Sequence, residues 1–316
     1  MSKKVTIIGA GSVGATIAYT LAVTGTATEV VMIDINEPKS LGEALDIRQG
    51  VAFCSPMSIY AGSYEDAKDS DIVILTSGIA RKPGQTRLEL AQINVDITRS
   101  IASQIVKHAP NAVYIIVSNP VDILTYLFHQ VSGLPEHQII GSGTILDTAR
   151  LRARLAEYFS ISQQNVHAHV FGEHGDSSFV PWSLANISNI PIDEYTAHLT
   201  SSKKEFFPPL VHSEVEDYIR KSGGKIIERK GATFYAVSIS VCHICKCIFA
   251  GVDTTLSVST PMHGEYGIDG VCLSTLANVG RGGVTGRLTP PLTDGEIALL
   301  RKSADSLKAV ISNLNI

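Results

Sequence analysis

The chain has 316 residues, of which 44% are hydrophobic and 18% charged, and a formal net charge of −4. That is enough apolar material for a large core, and the length favours two domains. The mild negative charge speaks against a nucleic-acid partner, which would call for a basic face, and no apolar run is long enough to span a bilayer.

Met-Ser-Lys-Lys leads directly into an apolar run, Val5 to Ile8, with no leader pattern before it, so a cytoplasmic setting is expected. Val5-Thr-Ile-Ile-Gly-Ala-Gly-Ser-Val-Gly14 reads as strand, tight turn and helix. Gly9 makes the turn, Gly11 lets the backbone approach a pyrophosphate, and Gly14 lets helix and strand pack closely. The helix amino end then offers free N–H groups and partial positive charge to the phosphates. A second strand, Glu29 to Asp34, ends in a carboxylate twenty residues on. A carboxylate there hydrogen-bonds ribose hydroxyls and repels a 2′-phosphate, which points to NAD over NADP. The competing reading of Asp34 is a cap for the helix from about Glu37.

Strands and helices then alternate: a short strand at Ile59, Asp71 to Thr76, a long helix Leu88 to His108, Ala112 to Val117, a helix Val121 to Val131, and His137 to Ile140. This alternation predicts a parallel, doubly wound α/β sheet. Gly78 to Arg87 follows a strand and holds two glycines, a proline and cations including Arg81, Lys82 and Arg87. It reads as a loop at a strand's carboxyl end, either a lid carrying positive charge onto an anion or a solvated turn. Asn119, before Pro120, could reach a cofactor or substrate, or simply serve the turn.

After Gly141-Ser-Gly143 the texture changes, giving expected domains of 1–143 and 144–316. A helix from Thr144 to Tyr158 puts Asp147 and Arg150 on one face, as a site pair or as a surface ion pair. Asn165 to Phe171 reads as a strand leading to Gly172-Glu-His174-Gly-Asp176, where the histidine would be exposed and free to titrate, or a structural turn residue. Helices are expected over 203–222 and 231–250, broken at Gly223-Gly224. Strands are expected at Val252 to Val258 and Val271 to Val279, then a turn at Arg281-Gly-Gly283 and a last helix from Asp294 to Leu314. Five cysteines do not make a disulfide framework and fit a reducing compartment. Cys242, Cys245 and Cys247 lack a second pair at metal-site spacing and read as small buried residues of a helix.

The glycine turn, the loop ending at Arg87, Ser118-Asn-Pro120, Asp147-Thr-Ala-Arg150 and the histidine turn occur in the order that resembles the NAD-dependent lactate/malate dehydrogenase family, over nearly the whole chain. The resemblance implies a Rossmann-type sheet followed by an α+β substrate domain. It implies hydride transfer between NAD and a small 2-keto or 2-hydroxy acid. By resemblance His174 is the proton donor, Asp147 its partner, Arg150 the grip on the substrate carboxylate, and Arg87 the group that polarises the ketone. Asn119 positions that oxygen. Val13, Lys39, Tyr64, Gly78, Ile79, Val117 and Ser142 match positions lining the NAD site, beside Gly9, Gly11, Gly14 and Asp34; no metal is implied. Arg152 and His167 match a pair that in many bacterial lactate dehydrogenases binds fructose 1,6-bisphosphate, which implies an effector site in a homotetramer or a retained pair without regulation.

Two substrates compete. Arg81 occupies the specificity position, where malate enzymes carry arginine and lactate enzymes glutamine. Facing oxaloacetate's second carboxylate, it would gain on the order of 4 kcal/mol at contact distance before desolvation. Gly172-Glu-His, Gly141 to Asp147, Pro120 to Tyr126, Trp182-Ser183, Lys230 to Tyr235 and Leu88 are lactate-like, and Thr233 matches the lactate-type residue beside the substrate side chain. The balance favours pyruvate reduction to L-lactate, with oxaloacetate and L-malate as the alternative. A nucleotide-binding protein without catalysis, or an NAD- and metal-dependent hydrolase, are the readings from other classes.

Overall fold

A computed structural model describes residues 2–79, 86–200 and 207–316, without the Arg87 side chain. Arg81 and Lys82 therefore lie outside the described residues.

One nine-stranded sheet organises the molecule, in the order β12 (Gly283–Arg287), β11 (Asp269–Gly280), β10 (Thr254–His263), β6 (Ile139–Gly141), β5 (Val113–Ile116), β4 (Ile72–Leu75), β1 (Lys4–Ile8), β2 (Glu29–Ile33) and β3 (Ser58–Ala61). The parallel part comprises β1 (Lys4–Ile8), β2 (Glu29–Ile33), β3 (Ser58–Ala61), β4 (Ile72–Leu75), β5 (Val113–Ile116) and β6 (Ile139–Gly141). Its central strands are apolar on both faces; Val5, Ile7, Ile72, Val73, Ile74, Ile115 and Ile116 are fully buried. That is the pattern of a parallel sheet covered by helices on each side. The helices α1 (Ser12–Thr24), α2 (Glu37–Gly50), α3 (Arg87–His108) and α4 (Val121–Ser132) connect these strands. The strand order reverses between β1 and β4, and both strands end at the turns that begin the site.

The chain's second half supplies α5 (Ile145–Phe159), the short strands β7 (Val166–His167), β8 (Asn186–Ile187) and β9 (Ile190–Pro191), α6 (His212–Lys230) and α7 (Tyr235–Ala250). Then come β10 (Thr254–His263), β11 (Asp269–Gly280), β12 (Gly283–Arg287) and α8 (Asp294–Ile311). Strands β10 to β12 run antiparallel and join the first half through Ser259 opposite Gly141. One buried cluster draws on both halves, packing Val73, Leu124 and Tyr114 with Leu273 and Leu300.

Several expected boundaries give way. The predicted strand Asn165 to Phe171 pairs as a strand only at Val166–His167. Beyond it the backbone bonds to α5: the Thr148 hydroxyl takes the Val170 N–H at 2.9 Å, and the Thr144 hydroxyl donates to the Val170 carbonyl. The first predicted helix of 203–222 starts at His212, with 203–206 outside the described residues, and it does not break at Gly223-Gly224. Two interior glycines cost a helix roughly 1 kcal/mol each. Packing of Val215 and Ile219 in the core beneath α5 offsets this, and the stop falls at Gly231, φ +83°. Gly223 and Gly224 both line the main cleft, where larger side chains would take up its space. Strand β10 continues past Val258 to His263, and β12 is a strand that the turn at Arg281 to Gly283 did not announce.

Candidate active site

The first wall is the glycine turn. Gly9 has φ +109°, and a Cβ there would sit 2.8 Å from the Ser77 nitrogen; at Gly14 it would sit 1.8 Å from the Gly9 carbonyl oxygen. Both positions exclude any side chain. Gly11 differs: nothing lies within 4 Å of a Cβ built on it. It is also the N-cap of α1, which has no side-chain cap and no acid in its first turn. An open helix amino end with unsatisfied donors suits a pyrophosphate. Asp34 is not the cap of α2; Asn36 is, accepting the Lys39 N–H at 3.2 Å. Asp34 instead accepts the Ala10 N–H at 2.6 Å and the Asn36 N–H at 2.8 Å, so its carboxylate braces the glycine turn at the end of β2. These residues fit a dinucleotide.

A cleft of about 520 Å³ opens beyond this turn, with Val13, Gly78, Ile79, Val117, Asn119 and Thr233 among its walls. Asp147, Arg150 and His174 line it as well. Ser142 borders an adjoining small cavity that shares Asn119 and His174. Two expected cofactor positions stand apart from these walls. Lys39 is exposed on α2. Tyr64 is half-buried and packs against the core, where burial raises its phenol above the usual range.

At the inner end, Nδ1 of His174 lies 2.5 Å from Oδ2 of Asp147, and an Arg150 guanidinium nitrogen lies 2.8 Å from Asp147 Oδ1. The Asp147 side chain is 7% exposed, with His174 and Arg150 half-buried about it, so this is a triad built on a buried carboxylate and not the surface ion pair that helix spacing alone allows. The negative charge of Asp147 raises His174 to about 9 against the opposing pull of desolvation. Burial pushes the Asp147 carboxyl up, but the charges of His174 and Arg150 outweigh it and hold the group below its ordinary value. With Nδ1 committed to Asp147, Nε2 is the nitrogen left to exchange a proton in the cleft.

His174 is thus not a freely titrating edge residue. Its turn is tied down at three successive backbone N–H groups. That of Gly172, φ +90°, goes to the Ser274 carbonyl of β11 at 2.9 Å. That of Glu173 goes to the Ser303 hydroxyl of α8 at 2.8 Å, and that of His174 to Asp122 Oδ2 of α4 at 2.7 Å. Asn119 is held from another side. Asn94 of α3, buried, donates to the Asn119 carbonyl at 2.8 Å and accepts the Ile79 N–H at 2.9 Å, so one amide links the base of the 78–87 loop to Asn119.

Asn94, Asp122 and the cleft-lining Arg220 escaped the sequence reading. A signal existed for the first: Asn94 interrupts the stripe Ala91, Val95, Ala102 and Ile105 on the buried face of α3, where a polar side chain must find partners. Arg152 and His167 lie away from the cleft. The Arg152 Nε donates to the Ala168 carbonyl at 3.1 Å, and His167 is exposed on β7. Both bear on His169, which burial, aided by their charge, lowers to about 4. The thiols of Cys242, Cys245 and Cys247 are buried in the core beside α1, and burial pushes Cys242 up to about 12. No group of three or more potential metal ligands occurs among the described residues. No helix among them is long and apolar enough to cross a membrane.

Comparison with known proteins matches residues 3–141 to the lactate/malate dehydrogenase NAD binding domain and residues 144–315 to the alpha/beta C-terminal domain of lactate/malate dehydrogenase. The chain is 46% identical to an L-lactate dehydrogenase of Thermoanaerobacter sp. (strain X514), over 99% of each protein. It is 43% identical to one from Acetivibrio thermocellus, over 99% of this chain and 98% of that one. Among solved structures, a minor L-lactate dehydrogenase from Enterococcus mundtii in a ligands-bound form superposes with a TM-score of 0.92 at 37% identity, covering 99% of this chain and 98% of that one. A lactate dehydrogenase from a Medee basin deep-sea metagenome library gives 0.92 at 36%, covering 99% of each.

Proposed function

Because this chain belongs to the lactate/malate dehydrogenase family, we propose that it is an L-lactate dehydrogenase, reversibly reducing pyruvate to L-lactate with NADH. The observation that carries the reading is the His174–Asp147–Arg150 set, built on the buried Asp147 at the inner end of a cleft that also reaches the glycine turn of a dinucleotide site. Curated relatives called L-lactate dehydrogenase, 43–46% identical over nearly full length, support the lactate branch.

Gly9, Gly11, Gly14, Val13, Asp34, Gly78, Ile79, Val117 and Ser142 would hold the cofactor, with Lys39 and Tyr64 at the margin. Bound NADH would supply a hydride to the carbonyl carbon of pyruvate. His174 gives its Nε2 proton to the ketone oxygen as negative charge develops there, and Asp147 holds the ring and stabilises its protonated form. Arg150 grips the substrate carboxylate with two parallel N–H groups. The Asn119 amide and Arg87 steady the developing oxyanion, and Thr233 borders the methyl group. In the reverse direction neutral His174 takes the hydroxyl proton. The chain divides into a cofactor domain, 1–143, and a substrate domain, 144–316, and works in the cytoplasm, where five free thiols are at home.

Arg81 is the one feature that favours oxaloacetate. The test is kcat/KM for pyruvate against oxaloacetate with NADH; a clear preference for oxaloacetate replaces the lactate reading with malate dehydrogenase.

Two finer points belong to this reading. Exposed apolar side chains on α1, α2 and α7, among them Tyr19, Leu41, Tyr235 and Ile239, suit burial in a homo-oligomer, and a homotetramer is the expected assembly. Arg152 and His167, gathered about His169, suit a phosphate, with fructose 1,6-bisphosphate as the proposed effector. An unchanged pyruvate KM across a titration with the sugar bisphosphate would remove that proposal.

A further inference from the structure

Asp122 is a second carboxylate at the catalytic histidine. It stands in the first turn of α4, three residues after Asn119, and it is 2% exposed. Its Oδ2 accepts the backbone N–H of His174 at 2.7 Å, and its Oδ1 accepts the Ser259 hydroxyl of β10 at 2.6 Å. Three elements from both halves of the chain therefore meet on one side chain: the turn that carries Asn119, the turn that carries His174, and the strand that joins the two parts of the sheet.

We propose that Asp122 is a positioning residue for the proton transfer. It fixes His174 at a set distance from Asn119 across the pocket and places a second negative charge behind the imidazole. This rests on the proposed role of His174 as proton donor. Asp147 orients the ring through Nδ1, and the N–H groups of Gly172 and Glu173 hold the turn before the histidine. Asp122 fixes the main chain of His174 itself, through a contact that no rotation of the imidazole can break.

A neutral side chain would be the cheaper choice for such a bond. Burial raises Asp122 to about 6, only partly opposed by Ser259, by the His174 N–H and by the His174 charge. A carboxylate raised above its unfolded value is a liability to folding that grows as pH rises from about 4 through 6 and persists above. The helix amino end eases the charge without cancelling it. The retained charge acts on His174, whose protonated form Asp122 favours. The other charged groups near His174 and Asp122 are Asp147 and Arg150 of α5, Glu173 and Asp176 of the histidine's own turn and Arg220 of α6 on the facing wall, while the thiol of Cys272 on β11, behind Asp122, is kept neutral by burial.

Asp122→Asn keeps an acceptor for the His174 N–H and offers an amide to Ser259, so it removes the charge with little change of shape. Asp122→Ala removes both. The experiment records the imidazole titration of His174 by NMR in wild type and Asp122→Asn, together with thermal stability and with kcat and KM for pyruvate in all three proteins. The expected result is a lower titration midpoint for His174 in Asp122→Asn, with thermal stability at pH 7 to 8 equal or higher. Asp122→Ala should lose kcat by about tenfold or more with a smaller change in KM. An unchanged midpoint in Asp122→Asn overturns the proposal, as does full kcat in a folded Asp122→Ala. The NMR titration decides even if the alanine variant fails to fold. Failure of the wild type to reduce pyruvate would sink the activity reading, and the titration would still report on Asp122.

Discussion

His174 and Asp147 share one short bond, 2.5 Å from Nδ1 to Oδ2, and with His174 as the proposed proton donor that bond should set the pH range of the enzyme in both directions. The Asp147 charge raises His174 to about 9. Pyruvate reduction needs the protonated ring, so its kcat/KM should be level below about 9 and fall about tenfold per pH unit above. Lactate oxidation needs the neutral ring and should climb with pH up to the same point. The stabilisation from the pair follows the same sign: it is full below the unfolded value of about 6.5 and lost as pH rises through about 9. Rates in both directions between pH 6 and 10 test this, and a reduction profile already falling at pH 7 would contradict it.

Arg150→Lys keeps the charge and loses the fork. One guanidinium nitrogen already serves Asp147, and the rest of the group is what can meet a carboxylate with two bonds. The variant should raise the pyruvate KM by about tenfold to a hundredfold, with NADH affinity, measured by fluorescence, unchanged.

Asn94→Ala should act without touching substrate. It frees the Asn119 carbonyl and the Ile79 N–H inside the protein, costing about 1–3 kcal/mol for the unsatisfied groups. Thermal stability should fall, and kcat/KM for pyruvate should fall further than stability explains, because Asn119 and the base of the 78–87 loop both lose their anchor. A drop in stability with normal kinetics at low temperature would reduce Asn94 to a core residue.

Arg81→Gln tests the specificity position directly. Pyruvate turnover should improve and any oxaloacetate activity should fall, read as the ratio of the two kcat/KM values. An unchanged ratio would show that Arg81 does not face the substrate.

The parallel half of the fold was legible because its signals are local. Buried strands read as unbroken apolar runs, and glycines sit where backbone or side chain comes within 3 Å of a missing Cβ, as at Gly9 and Gly14. The second half was harder because its determinants are distant in sequence. Ala168 and Val170 looked like strand residues, yet their backbone partners are Arg152 and, at the start of α5, Thr144 and Thr148, well back along the chain. The Gly223-Gly224 pair looked like a break, and only the cleft beside it accounts for glycine inside a helix. In the site, residues whose chemistry is special could be named in advance: histidine between glycines, a helical Asp and Arg three apart. Asn94 showed only as a polar residue in an apolar stripe, since its main-chain partners leave no mark in the sequence, and Asp122 could not be named because its partners, the His174 N–H and the Ser259 hydroxyl, are far away along the chain.

The joining of β10 to β6 bears on how a molecule enters and leaves. Enzymes that bind between two lobes commonly admit substrate by swinging one lobe away about a hinge. Here that swing would have to part Ser259 from Gly141 and split a core that packs Val73 and Leu124 against Leu273 and Leu300. The lobes are riveted along one sheet, so admission falls to segments that leave the sheet, and three of these line the cleft: Val13 after β1, Gly78 and Ile79 after β4, and Asn119 after β5. Turnover in this protein should accordingly respond to changes in loop length and composition, and be indifferent to cross-links that tie its two halves together.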